Sequence, residues 1–197
     1  MPDLVEHGAT VRGEPQTLDT RLFVQLHVLT DCLDTGAVVS AVRDSELEAV
    51  VYANLNDPRG VGVVLMSEDP NLFADAGRAL LTGPAFAELT PLPDFTMIGR
   101  TYAGGREADL TDFLLRKVRR HALNPDYPWG IWYPLRRIGA FNRLPRGEQG
   151  RILMEHGTVG RGYGSLGLAV DIRLECHGLD RDDNEFVIGL IGPELYP

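Results

Sequence analysis

The sequence predicts an α+β protein made of two tandem ferredoxin-like units, of the dimeric α/β-barrel type. Three observations predict it. Residues 21–102 read as β-α-β-β-α-β, the order of one such unit. The order restarts after residue 104 with a strong amphipathic helix and an aromatic strand. It then stops one helix and one strand short, at "PELYP". The halves share element order without evident sequence identity, so the repeat is structural in kind.

The elements follow in order. Residues 1–20 are polar, carry Gly13 and Pro15, and read as a flexible N-terminal arm. "RLFVQLHVLTDC" (21–32) alternates as a strand does, and "TGAVVSAVRDS" (35–45) reads as a short helix. "EAVVYANLND" (48–57) and "VGVVLMSED" (61–69) are β-branched runs either side of the "PRG" turn. "PNLFADAGRALLTG" (70–83) reads as a helix, with Pro70 at its start and Gly83 past its end. "DFTMIGRTY" (94–102) closes the first unit, giving a first domain over 21–103 and a second over 104–197.

In the second unit, "EADLTDFLLRKVRRHAL" (107–123) carries a Leu110, Phe113, Leu114, Val118 stripe. Its basic last turns complement the helix dipole. "PWGIWYPLRRIGAF" (128–141) has strand composition, and "LPRGEQGRILMEHG" (144–157) is helical, with Pro145 placed for a first turn. "LAVDIRLECHG" (168–178) and "NEFVIGLIG" (184–192) are the last strands.

Composition excludes several classes. The chain has 197 residues, 44% of them hydrophobic, and a formal net charge of −9, which argues against a general nucleic-acid binder. No apolar run approaches the length of a membrane span, and no signal pattern opens the sequence, so a cytoplasmic protein is expected. Cys32 and Cys176 are isolated, no His pair has zinc spacing, and neither a disulfide framework nor a zinc site is readable.

The glycine run "HGTVGRGYG" places G-x-x-G-x-G after a helix, not before one. Helix ends present carbonyls and repel phosphate, so a nucleotide loop is disfavoured. The expected role of these glycines is to end the helix and turn the chain into the next strand. His156 shares a helical face with Ile152 and Leu153, and is expected to point where the helix packs. A lone histidine there is more often a hydrogen-bonded core residue than a ligand. "WGIWYPLRR" (129–137) crowds Trp129, Trp132 and Tyr133 ahead of Arg136 and Arg137, which suits either core packing or a flat apolar ligand with anionic arms. Together, a histidine facing an apolar wall and an aromatic strand ending in arginines would suit haem.

Three blocks resemble the chlorite dismutase family, which includes the coproheme decarboxylases. They are "YPLRR" (133–137), "LPRGEQGRILMEHGTVGRGY" (144–163) and "HGLDRDD" (177–183), and the likeness covers about residues 129–192. The resemblance implies a haem-binding oxidoreductase, with haem b or iron-coproporphyrin as the porphyrin ligand. It implies His156 as the proximal iron ligand, Tyr133 as the tyrosine oxidised to attack a propionate, and Arg137 as a propionate grip. Trp132 joins them as a cofactor-binding candidate. The position of the distal arginine or glutamine falls on Asp171 counting back from the turn, or Ala169 counting forward from His156, and Arg173 lies on the same strand face. A carboxylate there could act as a base toward peroxide or another small oxidant. The expected reaction is peroxide-driven propionate decarboxylation. The alternatives are a peroxidase-like or specialised oxidase, or a non-catalytic haem binder. Family likeness also implies a homo-oligomer, with a pentamer favoured.

Overall fold

The structure is a computed structural model and describes residues 3–179 and 181–195. Asp180, within the "HGLDRDD" block, and the last two residues of "PELYP" lie outside the described residues. The elements are β1 (Glu6–Val11), β2 (Glu14–Leu18), β3 (Phe23–Thr30), α1 (Thr35–Asp44), β4 (Ala49–Ala53), β5 (Val61–Ser67), α2 (Asn71–Ala74), α3 (Ala76–Leu81), β6 (Thr90–Pro91) and β7 (Met97–Arg100). A π-helical turn (Asp112–Arg116) then leads into α4 (Lys117–Ala122). It is followed by β8 (Trp129–Leu135), α5 (Gly139–Asn142), α6 (Arg146–Ser165), β9 (Val170–Glu175) and β10 (Phe186–Gly192).

One antiparallel sheet runs β4-β5-β3-β7-β9-β10-β8, with the short β6 pairing to β3, and β1-β2 forms a separate hairpin. The order β4-β5-β3-β7 for β3-α1-β4-β5-(α2, α3)-β7 is the ferredoxin-like arrangement. The order β9-β10-β8 for β8-α6-β9-β10 repeats its first three strands. β3 and β8 run in the same direction, and each connects two places along the sheet in the same sense. The right-handedness of such crossovers therefore sends α1 and α6 over the same face.

That face is the outer one. The inner face holds a core common to both halves: Leu22, Val24, Leu26, Val64, Met66 and Met97 meet Ile172, Leu174, Cys176, Val187 and Ile191, with Val118 and Ala122 of α4. Period-2 alternation then turns Leu29, Val61, Val63 and Leu65 outward, where Val38 and Val42 of α1 and Phe86 cover them. β5, covered on both faces, is buried along its whole length, which explains its unbroken apolar run.

Four expectations change. Residues 6–18, expected within a flexible arm, form the β1-β2 hairpin. It is tied down by Gln16, whose amide donates to the carbonyls of Glu107 and Ala108 and accepts from Leu110 N–H. The helix expected over 70–83 breaks at Asp75 into α2 and α3. The strand expected over 128–141 ends at Leu135 and is followed by α5. The helix expected to end at Gly157 continues through Gly157, Gly160, Gly162 and Gly164. Only Gly167, at φ 70°, ends it, with Leu168 N–H closing on the Tyr163 carbonyl. Glycine permits the left-handed cap but does not force the chain out of a helix.

Candidate functional site

The outer face of the C-terminal half is a grid fixed by register. Ile131, Leu190 and Asp171 lie in one row, Tyr133, Ile188 and Arg173 in the next, and Leu135, Phe186 and Glu175 in the third. β8 and β10 therefore supply an apolar and aromatic platform, and β9 supplies a charged border. Strand spacing puts Tyr133 and Arg173 about 10 Å apart across the middle row.

The platform is open only along β8, the edge strand: on β10, Phe186 and Ile188 are buried. Ile131 remains 45% exposed and Tyr133 36%. No residue of α6 is buried, and its packing on the sheet is chiefly against β9. Six glycines lie within it, at 147, 150, 157, 160, 162 and 164, which leaves it little side chain to pack. His156 is exposed, which corrects the expectation that it points into packing. Helical period nevertheless puts it in one stripe with Ile152, Val159 and Tyr163, all three exposed. No hydrogen bond or ion pair to His156 is present among the described residues, so the imidazole is available as a ligand.

The other expected site residues sort by face. Tyr133 lies on the platform. Trp132 turns the opposite way, onto the inner face, because successive strand side chains alternate. Its ring lies over Gly189, where an added Cβ would come within 2.7 Å of it, and it packs against the shared core. Its Nε1 and the Tyr52 hydroxyl are both buried and lie beside each other, the indole N–H acting on the hydroxyl oxygen. Trp132 is thus a core residue, not a neighbour of Tyr133 in the site.

Arg137 does reach the platform. Its guanidinium lies 4.7 Å from the Phe186 ring centroid and 5.6 Å from that of Phe141, and 3.5 Å from the Glu185 carboxylate. The neighbouring Arg136 is used structurally, donating to the carbonyls of Asp182 and Asp183. Asp171 and Arg173, the two candidates for the distal position, pair with each other at 3.1 Å. Arg100 and Glu175 pair at 3.4 Å in the next row.

Two residues join the site that sequence reasoning did not select. Tyr102, expected only as a strand end, packs its ring 5.7 Å from Phe186. Burial pushes its phenol pKa up, and the charges of Arg173, Arg137, Glu175 and Asp171 all reach it. Lys117, read from sequence as one of a dipole-complementing basic cluster, lines a crevice with Phe113, Thr101, Asp171 and Arg173. Burial pulls its ammonium pKa below the usual lysine value, with opposing contributions from Asp171 and Arg173. A π-helical turn precedes Lys117, a local irregularity visible only in the structure.

The described residues hold no cluster of three or more metal-ligating side chains. No helix among them is long and apolar enough to cross a membrane.

No family model matches the sequence, and a search of curated proteins returns no match. Solved structures do match. A candidate chlorite dismutase, TA0507, superposes with a TM-score of 0.66 at 13% identity, covering 89% of this chain and 81% of its own. A haem-binding protein from Thermus thermophilus gives 0.64 at 19% identity, covering 89% and 78%. The chlorite dismutase of Candidatus Nitrospira defluvii, in complex with imidazole, gives 0.62 at 13% identity, covering 90% and 79%. Sequence identities this low speak to architecture, and the coverage extends over most of the chain. This chain therefore has the chlorite dismutase fold.

Proposed function

We propose that the chain binds an iron porphyrin against the β8-β10-β9 platform, beneath α6, and uses it with peroxide to decarboxylate propionate arms. The carrying observation is the apolar outer face of the C-terminal half, left open along β8 at Ile131 and Tyr133, where the N-terminal half is sealed by helices. The residues suit the group: a flat apolar floor, cations along its border, and an unpartnered imidazole on the helix that crosses it. The names of the structural neighbours, which include a haem-binding protein, point the same way.

In this reading His156 holds the iron through its neutral imidazole. Arg137, steadied by Glu185 and the rings of Phe141 and Phe186, grips a propionate carboxylate. The bound group supplies an oxidant generated from peroxide. Tyr133, on the middle row of the platform, gives up an electron and its phenolic proton and takes a hydrogen from the propionate chain. A bound iron-coproporphyrin would supply the propionate arms as substrate, each becoming a vinyl group with release of CO2, one proton and two electrons, and peroxide would take the electrons to give water. Tyr102, its phenol pKa raised by burial, packs against Phe186 at the border of the floor.

The test is an absorbance titration of the purified protein with haem b and with iron-coproporphyrin. A Soret band that saturates at one equivalent is expected. His156→Ala should weaken binding at least about tenfold. Adding peroxide to the iron-coproporphyrin complex should then give stepwise loss of CO2 by mass spectrometry, and Tyr133→Phe should abolish it. The ion pair between Asp171 and Arg173 favours a second reading, a peroxidase-like oxidase whose peroxide proton goes to Asp171. Unchanged turnover of small organic substrates in Tyr133→Phe, with no CO2 loss in either protein, would select it.

A further inference from the structure

Arg173 is the one cation in the middle row of the platform, yet it is not free to bind. Its Nε lies 3.1 Å from the Asp171 carboxylate two residues back on the same strand. A guanidinium tied to a carboxylate offers an incoming anion no net charge. The pair is half open to solvent, with side-chain exposures of 50% for Arg173 and 34% for Asp171, so the bond holding it is worth little and can be exchanged.

Lys117 supplies the means of exchange. It projects from the start of α4 into the crevice that Asp171 and Arg173 line, a space of about 20 Å³, enough for a water and no more. Its ammonium lies 5.3 Å from the Phe113 ring centroid, and no ion pair to it within 4 Å is present among the described residues. Two cations thus share one carboxylate. Asp112 and Arg120 also face Lys117, but they are engaged with each other through two hydrogen bonds of 2.7 and 3.0 Å. Of the two acids whose charge reaches Lys117, Asp112 is held by two hydrogen bonds and Asp171 by one ion pair, so Asp171 is the one more readily exchanged.

We infer that Lys117 is a positioning residue that takes over Asp171 when Arg173 turns outward to grip an anionic oxygen group of the ligand. Before binding, Asp171 pairs with Arg173. After binding, Asp171 pairs with Lys117, and Arg173 presents its planar fork to a carboxylate or small oxyanion, which an ammonium recognises less specifically. The crevice goes from one excess positive charge to neutrality. Lys117 itself does not touch the ligand. Its lowered pKa is what a half-buried ammonium lacking a close partner shows. This inference rests on the proposed ligand face but not on the identity of the porphyrin.

A double-mutant cycle tests it. Iron-coproporphyrin affinity is measured for the parent, Lys117→Met, Asp171→Asn and the double variant. Lys117→Met should weaken binding about fivefold, because Arg173 then has to abandon an otherwise unpartnered carboxylate. In the Asp171→Asn background Arg173 is already free, and the same lysine change should cost less than about 1.5-fold. Equal losses in both backgrounds would mean that Lys117 meets the anion directly or acts through net charge alone, and would overturn the inference. No loss in the parent background would overturn it too. If the parent binds no porphyrin, the proposed function fails separately. Sodium formate then serves as the probe, read by NMR at the Arg173 Nε–H. A formate shift lost in Lys117→Met and restored in the double variant upholds the exchange. The same shift in all proteins refutes it.

Discussion

The two halves of this chain run the same strand-helix-strand-strand course over the same side of one sheet, but finish it differently. In the N-terminal half, α1, α3 and the Phe86 segment close over Leu29, Val61, Val63 and Leu65 and bury them. In the C-terminal half, α6, the equivalent helix, has no buried residue and meets the sheet chiefly at β9, and Ile131 and Tyr133 stay open. One face is a core and the other a floor. The difference lies in the crossing helix. α1 brings Val38 and Val42 to full or near-full burial, whereas α6 brings six glycines, a histidine and an exposed apolar stripe. A helix so built lacks the side-chain volume to seal a sheet, and leaves room for something flat.

The largest expected effect breaks the covered face. Leu65→Ala removes a fully buried side chain packed beside Gly77 and should cost about 3 kcal/mol in urea unfolding. The matched change on the open side, Ile152→Ala on α6, should stay within about 0.5 kcal/mol without ligand. A loss of more than about 2 kcal/mol there would mean that α6 is packed after all.

The glycines of α6 sharpen the comparison next. Against alanine they cost roughly 5 kcal/mol of helix propensity in all. An added Cβ at Gly150 or Gly160 meets nothing within 4 Å. Each alanine should therefore raise stability, or slow amide exchange over 146–165, by about 0.5–1 kcal/mol equivalents. If either instead impairs porphyrin binding, the glycine is there for close approach to the ligand.

The smallest effect is acid-dependent. His27 lies on the covered outer face, and burial holds its pKa below 6.5. The unfolded chain then binds more protons than the folded one between the lowered value and 6.5, so stability is full above that window and falls as pH drops through it. In His27→Gln this part of the acid dependence, followed by thermal melts, should flatten.

Legibility also differed between the halves. Regular alternation and β-branched runs exposed β3, β4 and β5, because buried strands carry their environment in their composition. The His156 helix and the Tyr133 strand were readable from residue pattern, a motif likeness then singled out His156, Tyr133 and Arg137, and the structure puts Tyr133 and Arg137 beside the partly open face. Trp132 was misplaced because adjacency in a strand means opposite faces. Arg173 and Asp171 were both selected without the sequence revealing that they pair. Tyr102 and Lys117 were missed because they reach the site from the segment after β7 and from α4, and no local pattern connects either to β9.

Residue pattern alone was enough for the α+β class, the repeated element order and the helix bearing His156, since period, propensity and turn chemistry are local properties. It could not say where that helix would stop, because glycine is compatible with both continuing and capping. Nor could it say which side of the sheet stays open. That depends on register, on the hand of the crossovers and on how much side-chain volume each helix brings to its face, and these arise only when distant segments pack together.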